Sequence, residues 1–241
     1  MGYHESLTEG RNAVLEAFRS GKTVDRLFVL DGCQDGPVKT ILREAKKQDT
    51  MVQYVKKERL DQLSETKNHQ GVIAYCAACE YAEVSDILEN AKKKGEAPFI
   101  VLLDGIEDPH NLGAIIRTAN QAGAHGVIIP KRRAVGLTAT VARTSAGAVN
   151  YTPVAKVTNL VTVMEDLKKE GMWFVCADMD GEEMYSLNLK GPIGLVIGNE
   201  GEGVSRLVKE HCDMVASIPM KGDIDSLNAS VAMGVDRKSV V

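Results

Sequence analysis

An apolar, β-branched run that ends in a glycine-rich loop most constrains the fold of this chain. Residues 193–197 form the run, and three glycines fall within residues 198–203, hereafter the glycine loop. The run predicts a buried strand, and residues 204–211 predict the helix that follows the loop. A strand that passes through glycines into a helix can bring backbone N–H groups close to a ligand.

The order of the glycines excludes two common nucleotide-binding loops. The spacing G-x-x-G-x-G differs from the dinucleotide fingerprint G-x-G-x-x-G, and no Lys-Ser/Thr pair completes a phosphate-binding loop. Glu200 lies inside the glycine loop, and its carboxylate would repel a phosphate. The loop is therefore expected either to face a cationic or hydrogen-bond-donating ligand, or to be a tight turn with exposed acids.

Strands and helices alternate along the whole chain after Pro98. Strands are predicted over 99–103, 126–129, 173–177, 193–197 and 214–218, helices over 111–123, 137–146, 160–170 and 204–211, an apolar stretch over 149–154, and a last helix from Leu227. This alternation is typical of an α/β fold whose mostly parallel sheet is covered by helices on both faces. Ligands bind such sheets beyond the carboxyl ends of the strands, where loops 104–111, 198–203 and 219–226 are expected.

The first 77 residues predict a separate small α/β unit. Its helices are predicted over 10–18, 38–48 and 60–63, and its strands over 24–30, 51–55 and 72–76. A charged, weakly apolar segment follows and is typical of a connector. The predicted organisation is a first domain at 1–77, a linker at 78–96 and a second domain at 97–241.

Composition limits the classes of function. The chain has 241 residues, 44% hydrophobic residues and a formal net charge of -4, so any RNA contact must be local. The start of the chain lacks a hydrophobic signal region and no apolar run has membrane length, so we expect a cytoplasmic protein without a membrane partner. Five scattered cysteines favour reduced thiols, and Cys76-Ala-Ala-Cys79 lacks a second ligand pair, so no metal is expected.

Two further loops carry polar residues at predicted helix starts. Asp108-Pro109 predicts a helix start near Asn111, and Arg117 lies beside the apolar face of that helix. In the other loop, Ser226 and Asn228 flank Leu227. Each of these polar residues is also compatible with an ordinary role, as a helix cap or in a surface salt bridge.

The three loop motifs together, in this order, closely resemble the SpoU (TrmH) family of RNA ribose 2′-O-methyltransferases. The matching segments are Asp108–Arg117, Leu195–Gly203, and Ile218–Met220 with Ser226–Asn228. Residues 9–17 resemble the start of the family's L30e-like substrate-binding domain. The two-domain layout is most similar to the RlmB type, the 23S rRNA (guanosine-2′-O-)-methyltransferases.

The resemblance implies several properties that periodicity alone does not predict. The catalytic domain would be SPOUT-like, with a trefoil knot near the C-terminus. The protein would form a homodimer with the site at the subunit interface, use S-adenosylmethionine (SAM) and leave S-adenosylhomocysteine. The partner would be RNA, and the similarity to the RlmB type favours 23S rRNA. No metal would be needed.

The resemblance also implies roles for individual residues. Arg117 matches the family's catalytic arginine, a proposed general base, and an equally physical role for a guanidinium is to stabilise an alkoxide or bind a phosphate. Glu200 would hold Arg117 or a polar neighbour. The catalytic set is Arg117, Asn111, Glu200, Ser226 and Asn228; the cofactor set is Gly198, Ile218, Leu227, Glu200 and Met220.

Polar residues at element ends and a local basic surface predict the contacts to RNA. With Arg117, the RNA-binding set is Arg11, Asn12, Lys131, Arg132 and Arg143. Apart from Arg117, these residues are also compatible with an ordinary solvated surface.

Two alternatives stay open beside a 23S rRNA methyltransferase. The first is a tRNA ribose 2′-O-methyltransferase. The second is a non-catalytic RNA-binding or ribosome-assembly factor that has kept the fold. The tail at residues 236–241 gives weight to the second, because family members continue an apolar-faced helix there and this tail is short and charged.

Overall fold

The computed structural model describes residues 6–220 and 227–236, which belong to two compact units. The first unit contains the residues up to Glu80 together with Gly136–Ala139. The second contains Tyr81–Val135 and the residues from Thr140 onward. The segment predicted as a linker therefore contributes its helix, Val84–Lys94, to the second unit.

The first unit is a small mixed sheet with helices. In chain order its elements are β1 (Ser6–Glu9), α1 (Arg11–Arg19), β2 (Val24–Leu30), α2 (Gly36–Lys47), β3 (Met51–Val55), α3 (Lys57–Leu63) and β4 (Val72–Cys76). The strand order is β1-β4-β2-β3, in which β2 and β3 are parallel and the other neighbours are antiparallel. The apolar faces of α1 and α2 pack on this sheet through Val14, Phe18, Val38 and Ile41, all buried.

Helix α2 illustrates how local chemistry sets a boundary in this unit. The side chain of Asp35 accepts a hydrogen bond from the backbone N–H of Val38 (3.1 Å), and a proline occupies the first turn. A carboxylate at this position satisfies an amide that has no partner within the helix, and proline has no N–H to leave unsatisfied there. The same logic sets the start of a helix in the second unit.

The second unit is built on a parallel sheet. Its strands are β5 (Phe99–Asp104), β6 (Gly126–Pro130), β7 (Val154–Val157), β8 (Trp173–Glu183), β9 (Ile193–Gly198) and β10 (Met214–Ser217). Its helices are α4 (Val84–Lys94), α5 (Pro109–Gln121), α6 (Ala139–Thr144, whose first residue clusters with the first unit), α7 (Leu160–Lys169), α8 (Arg206–Glu210) and α9 (Ala229–Asp236). The strand order is β10-β8-β9-β5-β6-β7, and every neighbouring pair is parallel.

Parallel order places the carboxyl ends of these strands at one edge of the sheet. Strands β5 and β9 are buried along their length, because helices cover a parallel sheet on both faces. Strand β9 lies between β5 and β8 although it follows β8 in the chain, so the loops after β5, β8, β9 and β10 are neighbours. The predicted α/β fold with a parallel sheet is confirmed.

The structure corrects some element boundaries. Strand β1 was not predicted, because Leu7 is the single apolar residue among its four and it pairs only along one edge, with β4. Strand β8 continues to Glu183 rather than ending at residue 177, since its acidic second half leaves the core and pairs with β10 after a register shift. The apolar stretch at 149–154 gives a 3-10 turn, Ala148–Asn150, and the strand comes later, as β7.

Candidate active site

A cavity of about 220 Å³ lies at the carboxyl ends of β8, β9 and β10. Small and branched apolar side chains form most of its wall, and the glycine loop forms one rim. The apolar wall residues are Ala177, Met179, Ile197, Ala216, Ile218, Met220, Leu227, Ala229 and Ala232. A wall of this kind suits an apolar or flat ligand, whose polar groups must then be met at the rim.

The glycine loop folds back on itself. The Oδ1 atom of Asn199 accepts hydrogen bonds from the backbone N–H groups of Gly201 (2.9 Å) and Glu202 (2.7 Å). The backbone N–H of Gly203 donates to the carbonyl of Asn199 (3.1 Å). A Cβ atom added to Gly198 would lie 2.0 Å from the carbonyl carbon of Gly203, so only glycine fits there.

Three side chains from separate elements form a hydrogen-bonded cluster at the rim, hereafter the amide–carboxylate triad: Asn111, Glu200 and Asn228. The Nδ2 atom of Asn228 donates to Glu200 Oε1 (2.9 Å) and to Asn111 Oδ1 (3.0 Å), and Asn111 Nδ2 also donates to Glu200 Oε1. From the described residues, Glu200 Oε2 accepts no hydrogen bond. Within the described part of the chain, the triad thus engages one of the two carboxylate oxygens of Glu200.

Helix capping positions the two amides. Asp108 caps α5 by accepting from the N–H of His110 (3.0 Å), and Pro109 begins the helix, so Asn111 lies in its first turn. Asn228 precedes α9 and accepts from the N–H of Ser230 (3.0 Å) through Oδ1. Asn228 therefore combines the capping role and the site position that the sequence left as alternatives, because its two side-chain atoms have different partners.

Arg117 lies apart from the triad. It follows Asn111 by six residues on α5, which turns its side chain roughly 120° around the helix axis. Arg117 is exposed, and among the described residues its guanidinium forms no hydrogen bond or ion pair. The sequence suggested that Glu200 holds either Arg117 or a polar neighbour. In the structure its hydrogen bonds come from polar neighbours, Asn111 and Asn228.

The residues predicted for the cofactor meet at the cavity. Gly198, Glu200, Ile218, Met220 and Leu227 all line it, although they come from three separate stretches of the chain. Ser226, predicted for the catalytic set, lies outside the described residues.

The residues predicted for RNA binding have different environments. Arg11 is engaged within the first unit: its guanidinium lies 2.5 Å from Asp35 Oδ2 and donates to the carbonyl of Gln70 (3.1 Å). Asn12 and Arg132 are exposed, and Lys131 is half-buried. Arg143 is exposed, and its guanidinium donates a hydrogen bond to Thr140 Oγ1 (3.1 Å).

Sequence reasoning missed Asp178, a charged residue that lines the cavity. Its Oδ2 lies 2.9 Å from the Nζ of Lys209 on α8, and its Oδ1 accepts from the N–H of Asp180 (3.3 Å). Partial burial alone would raise the pKa of Asp178, but the Lys209 hydrogen bond, the backbone donors and the Lys209 charge outweigh it and lower the pKa. Its position directly after the predicted strand 173–177 is the sequence feature that could have identified it.

A metal site and a membrane-spanning helix each require a particular geometry of the chain. Among residues 6–220 and 227–236, no group of three or more His, Cys, Asp or Glu side chains is arranged to hold a metal ion. Cys76 is buried in β4, where its sulfur lies 3.8 Å from Thr8 Oγ1, and Cys79 is half-buried. No helix in this part of the chain has the length and apolar character of a membrane span.

Two family models match the chain and together cover both of its units. The SpoU rRNA Methylase family matches residues 98–236, which include the glycine loop and the whole triad. A second model, RNA 2′-O ribose methyltransferase substrate binding, matches residues 7–82.

Individual proteins agree with these matches over nearly the full length. YacO of Bacillus subtilis, assigned to the TrmH family of tRNA/rRNA methyltransferases, is 49% identical over 228 residues, which is 94% of this chain and 91% of YacO. The SpoU methyltransferase AviRb of Streptomyces viridochromogenes, solved with AdoMet (SAM), has a TM-score of 0.61 at 25% identity and covers 98% of this chain and 89% of AviRb. An AdoMet-bound rRNA methyltransferase of Sinorhizobium meliloti has a TM-score of 0.60 at 25% identity, over 97% of this chain and 85% of that one. This chain therefore belongs to the SpoU (TrmH) family of RNA methyltransferases.

Proposed function

We propose that this protein transfers a methyl group from SAM to a ribose 2′-hydroxyl of RNA, with a guanosine of 23S rRNA as the target. The observation that carries the proposal is the amide–carboxylate triad at the rim of the cavity. The triad presents a hydrogen-bond acceptor next to a pocket with an apolar wall. This combination suits the methylation of a hydroxyl by a donor held in the pocket.

The cavity fits the cofactor of the family. Apolar side chains form its wall, and only glycine fits at position 198, where the two ends of the glycine loop nearly touch. We assign Gly198, Ile218 and Leu227 to hold SAM, with Met220 beside them. When bound, SAM supplies the methyl group from its sulfonium sulfur, which becomes the neutral thioether of S-adenosylhomocysteine.

Glu200 is the group that receives the ribose hydroxyl. Asn111 and Asn228 fix its Oε1 atom, so that Oε2 can accept the hydrogen bond of the 2′-hydroxyl. As the O2′–methyl bond forms, the hydroxyl proton leaves to this oxygen. A carboxylate is suited to accept it at neutral pH, whereas a guanidinium stays protonated.

Arg117 acts on charge rather than on the proton. It is exposed and unpaired among the described residues, so its guanidinium is available to a phosphate of the RNA or to the developing alkoxide. Its direction on α5, away from the triad of its own chain, suits a homodimer in which a site is completed across the interface. We extend the proposal to such a homodimer, and to the trefoil knot that the family resemblance implies.

The first unit is proposed to hold the RNA. The match of residues 7–82 to a substrate-binding family supports this role. We therefore keep the predicted division into an RNA-binding domain at 1–77 and a catalytic domain at 97–241. Asn12, Lys131, Arg132 and Arg143 remain proposed contacts, because a basic or amide side chain near the surface can bind phosphate. Arg11 contributes by fixing the loop around Gln70. A cytoplasmic location follows from an RNA substrate.

The alternative target is tRNA. The name of YacO covers both tRNA and rRNA, so both RNA classes belong in the test. We propose to incubate the protein with labelled SAM and either unmodified 23S rRNA or unmodified tRNA, and to map the 2′-O-methyl positions in the product. One methylated guanosine in 23S rRNA is the expected result.

The other results are equally informative. Label in tRNA alone would assign the tRNA reaction instead. Binding of RNA without transfer to either substrate would favour the non-catalytic factor. An Arg117→Ala variant is expected to lose methyl transfer while RNA binding stays nearly intact, and equal loss of both would argue for a binding role.

A further inference from the structure

The cavity carries an unbalanced charge. Three acidic side chains line it, namely Asp178, Glu200 and Glu202, and no Lys or Arg is found among its described lining residues. Glu200 is bound within the triad, and Glu202 is exposed. Asp178 is therefore the partly buried carboxylate that lines the cavity without a place in the triad.

Asp178 is held firmly at the cavity wall. Each of its oxygens has a donor, Lys209 Nζ on one side and the Asp180 N–H on the other, and only 19% of its side chain is exposed. A Cβ atom on Gly203 would lie 3.9 Å from Asp178 Oδ2, so the carboxylate borders the glycine loop directly. A fixed charge with little solvent around it acts more strongly on a ligand than an exposed one does.

The proposed reaction changes the charge of the ligand at one atom. The sulfur is cationic in the methyl donor and neutral in the product, whereas the adenosine and amino-acid parts are the same in both. A fixed carboxylate at the wall thus interacts differently with the two, and this difference sets how readily product is exchanged for a new donor.

We infer that Asp178 is a specificity-determining residue that favours the cationic methyl donor over its neutral thioether product. The inference rests on the proposed use of SAM. Its physical basis is the attraction between the held carboxylate and the sulfonium centre. Lys209 positions Asp178 and partly offsets its charge, so the selectivity is moderate rather than absolute.

The test is a set of dissociation constants from calorimetry on the full chain. For Asp178→Asn, we expect the SAM constant to rise about tenfold and the S-adenosylhomocysteine constant to change by less than about twofold. Sinefungin, which carries an ammonium group in place of the sulfonium, should follow SAM. The Asp178→Glu variant keeps the charge and should retain most of the preference.

Glu182→Gln is the control. It removes a carboxylate four residues further along β8, from an exposed side chain that does not line the cavity, so the two constants should stay near those of the parent. Equal weakening of SAM and product in Asp178→Asn would overturn the inference, because it would assign the carboxylate to a group that both ligands share. Unchanged dissociation constants for both ligands would overturn it too.

Failure of the proposed function looks different. If the parent protein binds none of SAM, product or sinefungin, the assignment of the cavity itself is wrong. If it binds all of them and Asp178→Asn loses no selectivity, the cavity assignment stands and only the role of Asp178 fails. Circular dichroism of each variant separates both results from loss of the fold.

Discussion

Glu9 in the first unit and Glu200 in the second are both carboxylates that collect several hydrogen bonds from loops, yet they differ in what they leave free. Glu9 Oε1 accepts from the N–H groups of Glu65 (2.7 Å) and Thr66 (3.2 Å), and Oε2 accepts from the hydroxyls of Ser64 and Thr66 (3.0 Å for the latter). Both oxygens are thus occupied by three consecutive residues of one loop.

Glu200 has the opposite arrangement. One oxygen takes both hydrogen bonds, and its donors are side-chain amides of Asn111 and Asn228, which are distant in the chain. The comparison teaches that the number of hydrogen bonds does not identify a site. A carboxylate saturated by its neighbours anchors a loop, whereas one held by a single oxygen beside a cavity can still accept a hydrogen bond from a ligand, as we propose for Glu200.

The largest expected effect comes from Glu200→Gln. The change should lower the rate of methyl transfer by about 10²–10⁴-fold, because an amide oxygen is a poor acceptor for the hydroxyl proton. Transfer of labelled methyl to RNA measures the rate, and thermal unfolding should move little. Glu165→Gln, the same change at an exposed position of α7, is the control. A rate near that of the parent would place Glu200 with the anchors.

The second effect is expected from Gly198→Ala. A methyl group there would overlap the backbone of Gly203, so the glycine loop must open. We expect the affinity for SAM to fall by at least about tenfold, together with about 1–3 kcal/mol of stability, the usual range for an overpacked site. Calorimetry and thermal unfolding measure the two. Unchanged SAM affinity would contradict the assignment of this loop to the cofactor.

A smaller effect is expected from Glu9→Gln, which should act on local stability alone. Loss of the carboxylate should weaken the loop at residues 64–66 by about 1–2 kcal/mol. Hydrogen exchange at the amides of Glu65 and Thr66 measures this local opening. SAM affinity should stay constant, and Glu16→Gln on the exposed side of α1 should leave the exchange unchanged. A change in SAM affinity would remove the distinction between the two carboxylates.

The smallest effect is a pH dependence of the same loop. Burial raises the pKa of Glu9, but the hydrogen bonds from residues 64–66 outweigh it and lower the pKa below its ordinary value. A lowered native pKa contributes stability that is present above the unfolded value of about 4.3 and is lost as pH falls through the native value. The Glu65 amide should therefore lose protection below about pH 4 in the parent but not in Glu9→Gln. Equal behaviour of both proteins would contradict this.

Local pattern predicted much of the second unit. The apolar runs at 99–103 and 193–197 became buried strands β5 and β9, because a parallel sheet buries both faces of a strand and so leaves a continuous apolar signal. The glycine loop was located by its composition. The start of α5 was expected near residue 111 and lies at Pro109, two residues earlier.

Other features depended on partners that the sequence does not reveal. Arg11 was predicted to bind RNA, which stays a prediction, and the structure adds two internal partners for its guanidinium, Asp35 and the carbonyl of Gln70. His69 is buried, and its ring nitrogens lie 3.0 Å from Asp61 Oδ1 and 3.0 Å from the backbone N–H of Gly71. In each case the same residue type suits a surface site or an internal bond, and only the fold supplies the partner.

The sequence by itself determined the alternation of strands and helices, the family, and the positions where only glycine or a capping residue serves, because these depend on chemistry within a few residues. The tertiary structure decided which oxygen of Glu200 is held and that Asp178 borders the glycine loop. Asn111 and Glu200 are 89 residues apart, and Lys209 reaches Asp178 from another element. Such contacts are set by the order of strands in the sheet, a property of the whole chain.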